Sequence, residues 1–324
     1  MPVELLKRAA KSALATRPGW IAAAPLRARG TVALMYHRIH AGEAHFPGMA
    51  ADRFHLQMAW VAKHCTPVRP EEALDAARRA SRIRPPVVVT FDDGFRDYHD
   101  VAYPILRDLR IPAAVFLATD FMDRGGLLWT EMLHWAGMRS PNASVRLPWD
   151  PAREAGLATG AQRVAFLAMA RLHLKGAPDA DRRRWVAELL DSLQAPPAEA
   201  ELGRQMLSWD QVRAIREGTT FGGHSHTHPI LSQLGPADLE REIRTCRERI
   251  EAETGEAPRC FAYPNGRAVD FDERAKDALR RHGFEVAFST EEGIIEPGAD
   301  PLALRRQHSG GATAADVAAI VARA

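Results

Sequence analysis

The stretch VVVTFDDGFRD, residues Val87–Asp97, runs an apolar β-branched segment into two adjacent aspartates and a glycine. Its apolar start, Val87–Thr90, predicts a short buried strand. Because neighbouring residues of a strand face opposite sides, Asp92 and Asp93 should have different roles. Ligands of α/β proteins usually bind at the carboxyl ends of parallel strands, which is where this pair falls. A simpler interpretation, that the aspartates cap the helix after Gly94, stays open at this point.

The rest of the chain repeats a strand followed by a helix, which predicts an α/β fold with parallel strands and helices packed outside them. The first strand is predicted at Thr31–His37 and the last at Glu285–Thr290. Other strands are predicted at Pro112–Thr119, Thr219–His226 and Cys260–Pro264, and helices at Phe54–His64, Tyr98–Leu109, Pro236–Thr254 and Asp272–His282.

The alternation of strands and helices stops between residues 124 and 205. Two amphipathic helices are predicted there, at Arg163–Leu174 and Arg182–Leu193, and no strand pattern is evident. We therefore expect a helical insertion at 124–205 that interrupts one barrel domain of residues 31–324. Residues 1–30 are expected to form a separate N-terminal helical segment.

Composition excludes several classes of protein. With 43 basic and 41 acidic residues, the formal net charge of +2 is too small to indicate nucleic acid as the main partner. The three cysteines stand singly, which argues against a disulfide scaffold and against cysteine-based zinc sites. A length of 324 residues suits a single α/β barrel.

The first thirty residues are basic but have no continuous apolar run followed by a cleavage site, so they do not match a secretion signal. No apolar run approaches the length that a bilayer requires. We therefore expect a cytoplasmic protein. Lys7, Arg8 and Lys11 border an apolar helical face that could rest on an anionic membrane surface as a peripheral contact, although such a helix more often packs on its own domain.

A second cluster of polar residues lies in the segment FGGHSHTHPI, where His224, His226 and His228 alternate after a predicted strand. Three histidines at this spacing fit a metal site better than a core or surface role. Two imidazoles and one carboxylate, with an open position for water, form a known catalytic zinc arrangement. One member of the Asp92–Asp93 pair could then be a ligand and the other a base.

TFDDG at Thr90–Gly94 and HSHTHP at His224–Pro229 resemble the first two motifs of the polysaccharide deacetylases, the NodB-homology or carbohydrate esterase family 4 group. The resemblance implies a distorted (β/α) barrel. It also implies a metal-dependent hydrolase that removes an N-acetyl group from an amino sugar in a glycan or glycan precursor. Imidazole and carboxylate ligands favour Zn²⁺ as the divalent metal, and Ni²⁺ or Co²⁺ would also be accepted.

The same resemblance assigns roles to the residues of these two motifs. Asp92 would be the catalytic base, and Asp93 would be a metal ligand. His224 and His228 would be the remaining ligands, and His226 would point away from the metal.

The third motif departs from the common pattern of the family, R-P-P-Y-G, because the chain has AYPNG at Ala262–Gly266. The resemblance implies that the backbone N–H at Asn265 helps bind the oxyanion, a role that needs no particular side chain. Ala262 replaces the arginine that steadies the base in the family. Arg259 or Arg305 could substitute for it.

The general acid of the family is a histidine in its last motif, and two residues compete for this role. The segment LRRQHSG near the end of the chain offers His308. The strand TVALMYH near the start offers His37. Some exopolysaccharide deacetylases that resemble this chain are circularly permuted, so that the histidine strand comes first. We therefore predict that His37 is the general acid.

The substrate implied by the resemblance is a carbohydrate, and a lipid-linked or nucleotide-linked glycan precursor suits a protein without a secretion signal. Tyr263 could stack on a sugar ring, although an aromatic residue at such a position is more often part of the core. A deformylase of a lipid-linked amino sugar would use the same chemistry. An inactive glycan-binding module is a further alternative, against which the intact first two motifs count.

Overall fold

The chain forms two compact units. The computed structural model describes residues 12–13, 16–22, 29–42, 45–197 and 205–323. The first unit consists of residues 1–43, 48–123 and 207–324, and the second of residues 44–47 and 124–206. The basic helical face predicted around Lys7 lies outside the described residues. No helix among the described residues has both the length and the apolar character needed to cross a membrane.

The described strands and helices alternate along the first unit, as the sequence pattern predicts. The strands are β1 (Val32–Tyr36), β2 (Ile39–His40), β3 (Met49–Ala50), β4 (Thr66–Pro67), β5 (Pro86–Phe91), β6 (Ala113–Leu117), β7 (Ser144–Leu147), β8 (Asp150–Gly156), β9 (Thr219–Gly223), β10 (Cys260–Ala262), β11 (Val286–Glu292) and β12 (Leu304–His308). The helices are α1 (Arg17–Ala22), α2 (Ala51–His64), α3 (Ala73–Arg78), α4 (Tyr103–Asp108), α5 (Thr119–Arg124), α6 (Trp129–Arg139), α7 (Gly160–Gly176), α8 (Asp179–Leu193), α9 (Trp209–Ala214), α10 (Pro236–Thr254), α11 (Glu273–Arg281) and α12 (Ala314–Val321).

Seven strands of the first unit close into a parallel barrel, which confirms the predicted (β/α) fold. The order around the ring is β1-β12-β11-β10-β9-β6-β5, and β5 pairs again with β1. In that closing pair Val32 lies opposite Val87, and Tyr36 lies opposite Phe91. The chain segments that follow β1 and β5 therefore leave the barrel side by side at the same mouth.

The core of the barrel comes from strands that are buried along their whole length, as β1, β5 and β6 are. Phe116 of β6 and Phe288 of β11 approach to 5.6 Å between ring centroids, and because these strands are not neighbours the contact crosses the interior. Outside the ring, Leu239 and Ile243 of α10 belong to a cluster with Phe261 of β10. Full burial of each such side chain contributes about 1.5–3 kcal/mol to the free energy of folding. This packing holds the strands, and therefore the strand ends that form the mouth, in place.

Gly222 marks the closest approach of β9 to its neighbours. A Cβ atom at this position would lie 2.6 Å from the Phe116 ring and 2.7 Å from the carbonyl oxygen of Cys260. Only glycine fits there, because the neighbouring backbone cannot move away without disturbing the sheet. The tight packing places the end of β9, and the segment that starts at His224, at the mouth of the barrel.

The second unit contains the helices α6, α7 and α8 and an antiparallel hairpin of β7 and β8. Leu133, Phe166 and Leu189 belong to its own apolar core. The expectation that residues 124–205 contain no strand is therefore wrong. The hairpin escapes sequence analysis because β7 has only four residues and most of β8, Asp150–Gly156, is exposed and has no β-branched side chain.

Candidate active site

The mouth of the barrel gathers polar residues from five strand ends. The chain segments after these strands are far apart in sequence, and the parallel register brings them together. The residues concerned are His37 after β1, Asp92 and Asp93 after β5, His224 to His228 after β9, Asn265 after β10, and Arg306 in β12.

Asp93, His224 and His228 form a compact cluster with the donor atoms of a metal site. The Oδ1 atom of Asp93 lies 3.4 Å from Nε2 of His224 and 3.3 Å from Nε2 of His228, and the two nitrogens are 3.2 Å apart. A tetrahedral Zn²⁺ with bonds of about 2.0–2.1 Å would hold its ligand atoms roughly 3.3 Å apart. The donor set and its spacing therefore fit a divalent metal, and the structure turns the predicted ligands towards one point.

The orientation of His224 is set by its other ring nitrogen. Nδ1 of His224 lies 2.7 Å from the carbonyl oxygen of Ala262, which can only accept a hydrogen bond. Nδ1 must therefore carry a proton, so Nε2 is the nitrogen that would coordinate a metal. Burial opposes ionisation of Asp93, but its bonds to His224 and His228 outweigh burial and hold the pKa of Asp93 well below its usual value.

Unusual backbone conformations concentrate at this mouth. Six described residues other than glycine have a positive φ, and four of them are site residues: Asp93 (75°), Ser225 (61°), His228 (59°) and Asn265 (64°). The left-handed region is unfavourable for side chains with a Cβ, so such residues persist only where their surroundings impose the conformation. The turns that carry the predicted ligands are therefore held by other contacts.

Asp92 is buried and faces Arg306. The guanidinium group of Arg306 donates two hydrogen bonds to the carboxylate, with distances of 2.6 Å and 2.8 Å, and a third to the carbonyl oxygen of Ser289. Burial would raise the pKa of Asp92, but the positive charges of Arg306, His224 and His37, with the hydrogen bonds from Arg306, together outweigh burial and lower that pKa below its ordinary value. Asp92 is therefore held as an ionised carboxylate beside the cluster of Asp93, His224 and His228.

Arg306 is the arginine that contacts Asp92, in place of the arginine that the third motif lacks. The suggestion from the sequence that Arg259 or Arg305 takes this place is wrong. Arg259 forms a surface ion pair with Glu285. Arg305 is exposed and donates to the carbonyl oxygen of Glu292. Alternation along a strand gives the signal that sequence analysis missed, because Arg305 faces solvent in β12 and its neighbour Arg306 must then face the interior.

His37 lies next to Asp92. Its Nε2 atom is 4.0 Å from Oδ2 of Asp92, and 41% of its side chain is exposed at the mouth. His308 ends the adjacent strand β12, and its ring centroid lies 6.4 Å from that of His37. Both histidines considered for the general acid therefore share one side of the mouth.

Asn265 and Tyr263 differ in accessibility. The N–H of Asn265 has no hydrogen-bond partner among the described residues, whereas its side chain donates to Asp270 and its carbonyl accepts from Thr290. The side chain of Tyr263 is completely buried, with its hydroxyl bonded to the carbonyl of Leu302. The prediction that this ring stacks on a sugar is therefore wrong, because the ring belongs to the core.

His226, the middle histidine, turns away from Asp93. Its Nδ1 atom lies 2.9 Å from the hydroxyl of Thr119, and its Nε2 atom is 3.8 Å from Asp120. Glu242 of α10, which no motif indicated, accepts hydrogen bonds from the same turn. The turn between His224 and His228 is thus held from α5 on one side and from α10 on the other.

Comparison with known proteins identifies the class. A family model described as polysaccharide deacetylase matches residues 79–154 and 178–287, more than half of the 324 residues. The chain belongs to the polysaccharide deacetylase family. Glycan deacetylation, carried out by a hydrolase acting on carbohydrate N-acetyl groups, is the class of activity that this membership supports. Among curated proteins, no match was found.

Solved structures share the fold. A Streptococcus pyogenes deacetylase, PplD in complex with acetate, is 17% identical with a TM-score of 0.61, covering 91% of this chain and 99% of that one. IcaB from Ammonifex degensii is 20% identical with a TM-score of 0.58, covering 92% and 99%. The BpsB deacetylase domain from Bordetella bronchiseptica is 16% identical with a TM-score of 0.51, covering 86% and 96%. At identities this low, the likeness shows the fold alone.

Proposed function

We propose that this protein is a metal-dependent deacetylase that hydrolyses the N-acetyl group of an amino sugar in a glycan or glycan precursor. The observation that supports this most is the position of a buried, ionised carboxylate, Asp92, directly beside the cluster of Asp93, His224 and His228. A divalent metal held by that cluster, with Zn²⁺ favoured by the ligand types, would supply Lewis acidity to water and to the amide carbonyl.

Asp92 is the proposed base. Its carboxylate accepts a proton from the attacking water, and Arg306 keeps it ionised and in a fixed orientation through two hydrogen bonds. The N–H of Asn265 is the proposed donor to the oxyanion that forms on the former carbonyl oxygen. Its left-handed backbone keeps this N–H out of the hydrogen bonds that hold the rest of its loop.

His37 is the proposed general acid. Amide cleavage requires a proton for the departing amine, and the imidazole of His37 is exposed at the mouth within 4.0 Å of Asp92. A proton donor and a proton acceptor at this separation can serve the same substrate from two sides. The products are acetate and a free amino sugar.

We also propose a cytoplasmic location with a peripheral membrane contact near α1, which would suit a lipid-linked substrate. Cys246 and Cys260 are free thiols, as is usual in a reducing compartment. Ile21 of α1 and Ile83 are both more than half exposed, and the indole of Trp20 donates to the carbonyl of Ile83, so they share one surface. Cosedimentation with anionic but not with neutral vesicles would support this contact.

Acetate release from N-acetylated amino-sugar oligosaccharides tests the proposed function. The zinc-loaded protein should release acetate, the chelated protein should not, and added Zn²⁺ should restore the activity. Parallel N-formylated substrates distinguish a deformylase, which would share this chemistry and release formate instead. Oligosaccharide binding without release of either acid would identify an inactive glycan-binding module and reject the proposal.

A further inference from the structure

Glu242 lies behind the turn that carries two of the proposed metal ligands. It is 7% exposed, and its carboxylate accepts three hydrogen bonds, from the N–H of His226 at 2.9 Å, the N–H of Thr227 at 2.7 Å and the hydroxyl of Thr227 at 2.7 Å. No cation pairs with Glu242 among the described residues. The turn itself therefore provides the donors that make burial of this carboxylate tolerable.

The turn needs such support because its backbone is strained. Ser225 and His228 both adopt left-handed conformations, and the Ser225 hydroxyl accepts from the N–H of His228 at 3.0 Å. The peptide groups of His226 and Thr227 lie between these two residues, and they are the groups that Glu242 fixes. Without Glu242, the segment that joins His224 to His228 would lose all three of these bonds at once.

We propose that Glu242 is a positioning residue that holds His224 and His228 in a geometry competent to bind metal. The proposal rests on the metal site of the proposed function and adds a residue that touches neither metal nor substrate. Groups that orient metal ligands typically change metal affinity or activity by about 10–100-fold when they are removed. A purely structural residue of α10 would instead lower stability and leave the metal affinity of the folded protein unchanged.

Zinc affinity, measured by competition with a chromophoric chelator, separates these two roles. Glu242→Ala should bind Zn²⁺ about 10–100-fold more weakly than the wild type while its metal-free form keeps the far-UV circular dichroism of the wild type. Glu242→Gln should recover most of the affinity, because an amide oxygen can accept the backbone bonds and the amide nitrogen can donate to the Thr227 hydroxyl. Glu248→Ala, an exposed glutamate of the same helix, is the matched control and should bind like the wild type.

A folded Glu242→Ala variant with wild-type zinc affinity would overturn the proposal. If that variant does not fold, Thr227→Val provides the same test, because it removes one of the three bonds from the side of the turn. A smaller loss of zinc affinity in Thr227→Val supports the positioning role, and an unchanged affinity rejects it. Failure of the wild type itself to bind Zn²⁺ would instead reject the metal site, so the two failures are distinguishable.

Discussion

The two sides of the barrel mouth are built in different ways. On one side, Asp92, directly after β5, faces Arg306 of β12, and His37, directly after β1, lies beside them. On the other side, Asp93 and His228 have left-handed backbones and belong to turns. The first group, the strand side, is thus fixed by sheet register, and the second group, the turn side, is fixed by hydrogen bonds from neighbouring elements.

In the proposed mechanism, this difference separates proton transfer from metal binding. The strand side is a buried ion pair with an adjacent imidazole, so changes there should alter the protonation of Asp92 or the supply of a proton to the leaving group. The turn side is a strained loop supported by Glu242, so changes there should alter metal affinity. A strand-side substitution that weakens metal binding, or a turn-side substitution that alters only proton transfer, would contradict this division.

Apart from changes to Asp92 and Asp93 themselves, the largest effect is expected on the strand side, from His37→Ala. The variant should keep its metal and fold but lose about 10²–10⁴-fold in amide hydrolysis, the usual contribution of a general acid. Hydrolysis of an activated ester, whose leaving group needs little protonation, should suffer far less. His308→Ala is the control, since this residue is the neighbour of His37 in β12. If His308→Ala shows the amide-selective loss and His37→Ala does not, the assignment of His37 is wrong.

A smaller effect is expected from Arg306→Gln, through the pH dependence of kcat/KM. Burial raises the pKa of Asp92 and the Arg306 charge is the largest of the effects that lower it, so removal of that charge raises the pKa. The ionised base is then lost at a higher pH as the solution is acidified, and the acidic limb of the profile moves upward. A tenfold loss on that limb, equivalent to about 1.4 kcal/mol, is the expected scale.

Arg306→Lys provides the matched comparison, because it keeps the charge but loses the paired hydrogen bonds. Its acidic limb should move less than that of Arg306→Gln. Circular dichroism of both variants must show the wild-type fold for the profiles to be compared. Superimposable profiles for the wild type and Arg306→Gln would show that the arginine does not tune the base.

The smallest effect on chemistry is expected from the second unit, since the residues of the proposed site all belong to the first unit. Replacing residues 124–205 with a short linker should leave hydrolysis of a small N-acetyl substrate detectable while it changes the preference among larger glycans. The measurement is acetate release from mono- and oligosaccharide substrates. Loss of both zinc binding and the folded structure would show that the segment is needed for folding.

The sequence predicted the site best where polar motif residues directly follow a recognisable strand. The order of strands and helices predicted a parallel α/β fold, and the family resemblance of the two motifs implied the barrel. The same motifs predicted that Asp93, His224 and His228 gather in one place, as they do. Arg306 was missed because it pairs with Asp92 across 214 positions of sequence, although strand alternation in β12 marks it as inward-facing. No sequence pattern indicates a role for Glu242, because only the packing of α10 brings this residue to the turn.

Zinc stoichiometry of Asp92→Asn and Asp93→Asn, measured side by side with acetate release, tests the central claim most directly. Two adjacent aspartates are assigned to different sides of the mouth, so their variants should fail differently. Asp92→Asn should retain one zinc per chain and lose acetate release, because only the base is gone. Asp93→Asn should lose both zinc and acetate release. Equal zinc contents in the two variants, or full acetate release by Asp92→Asn, would contradict this division of roles.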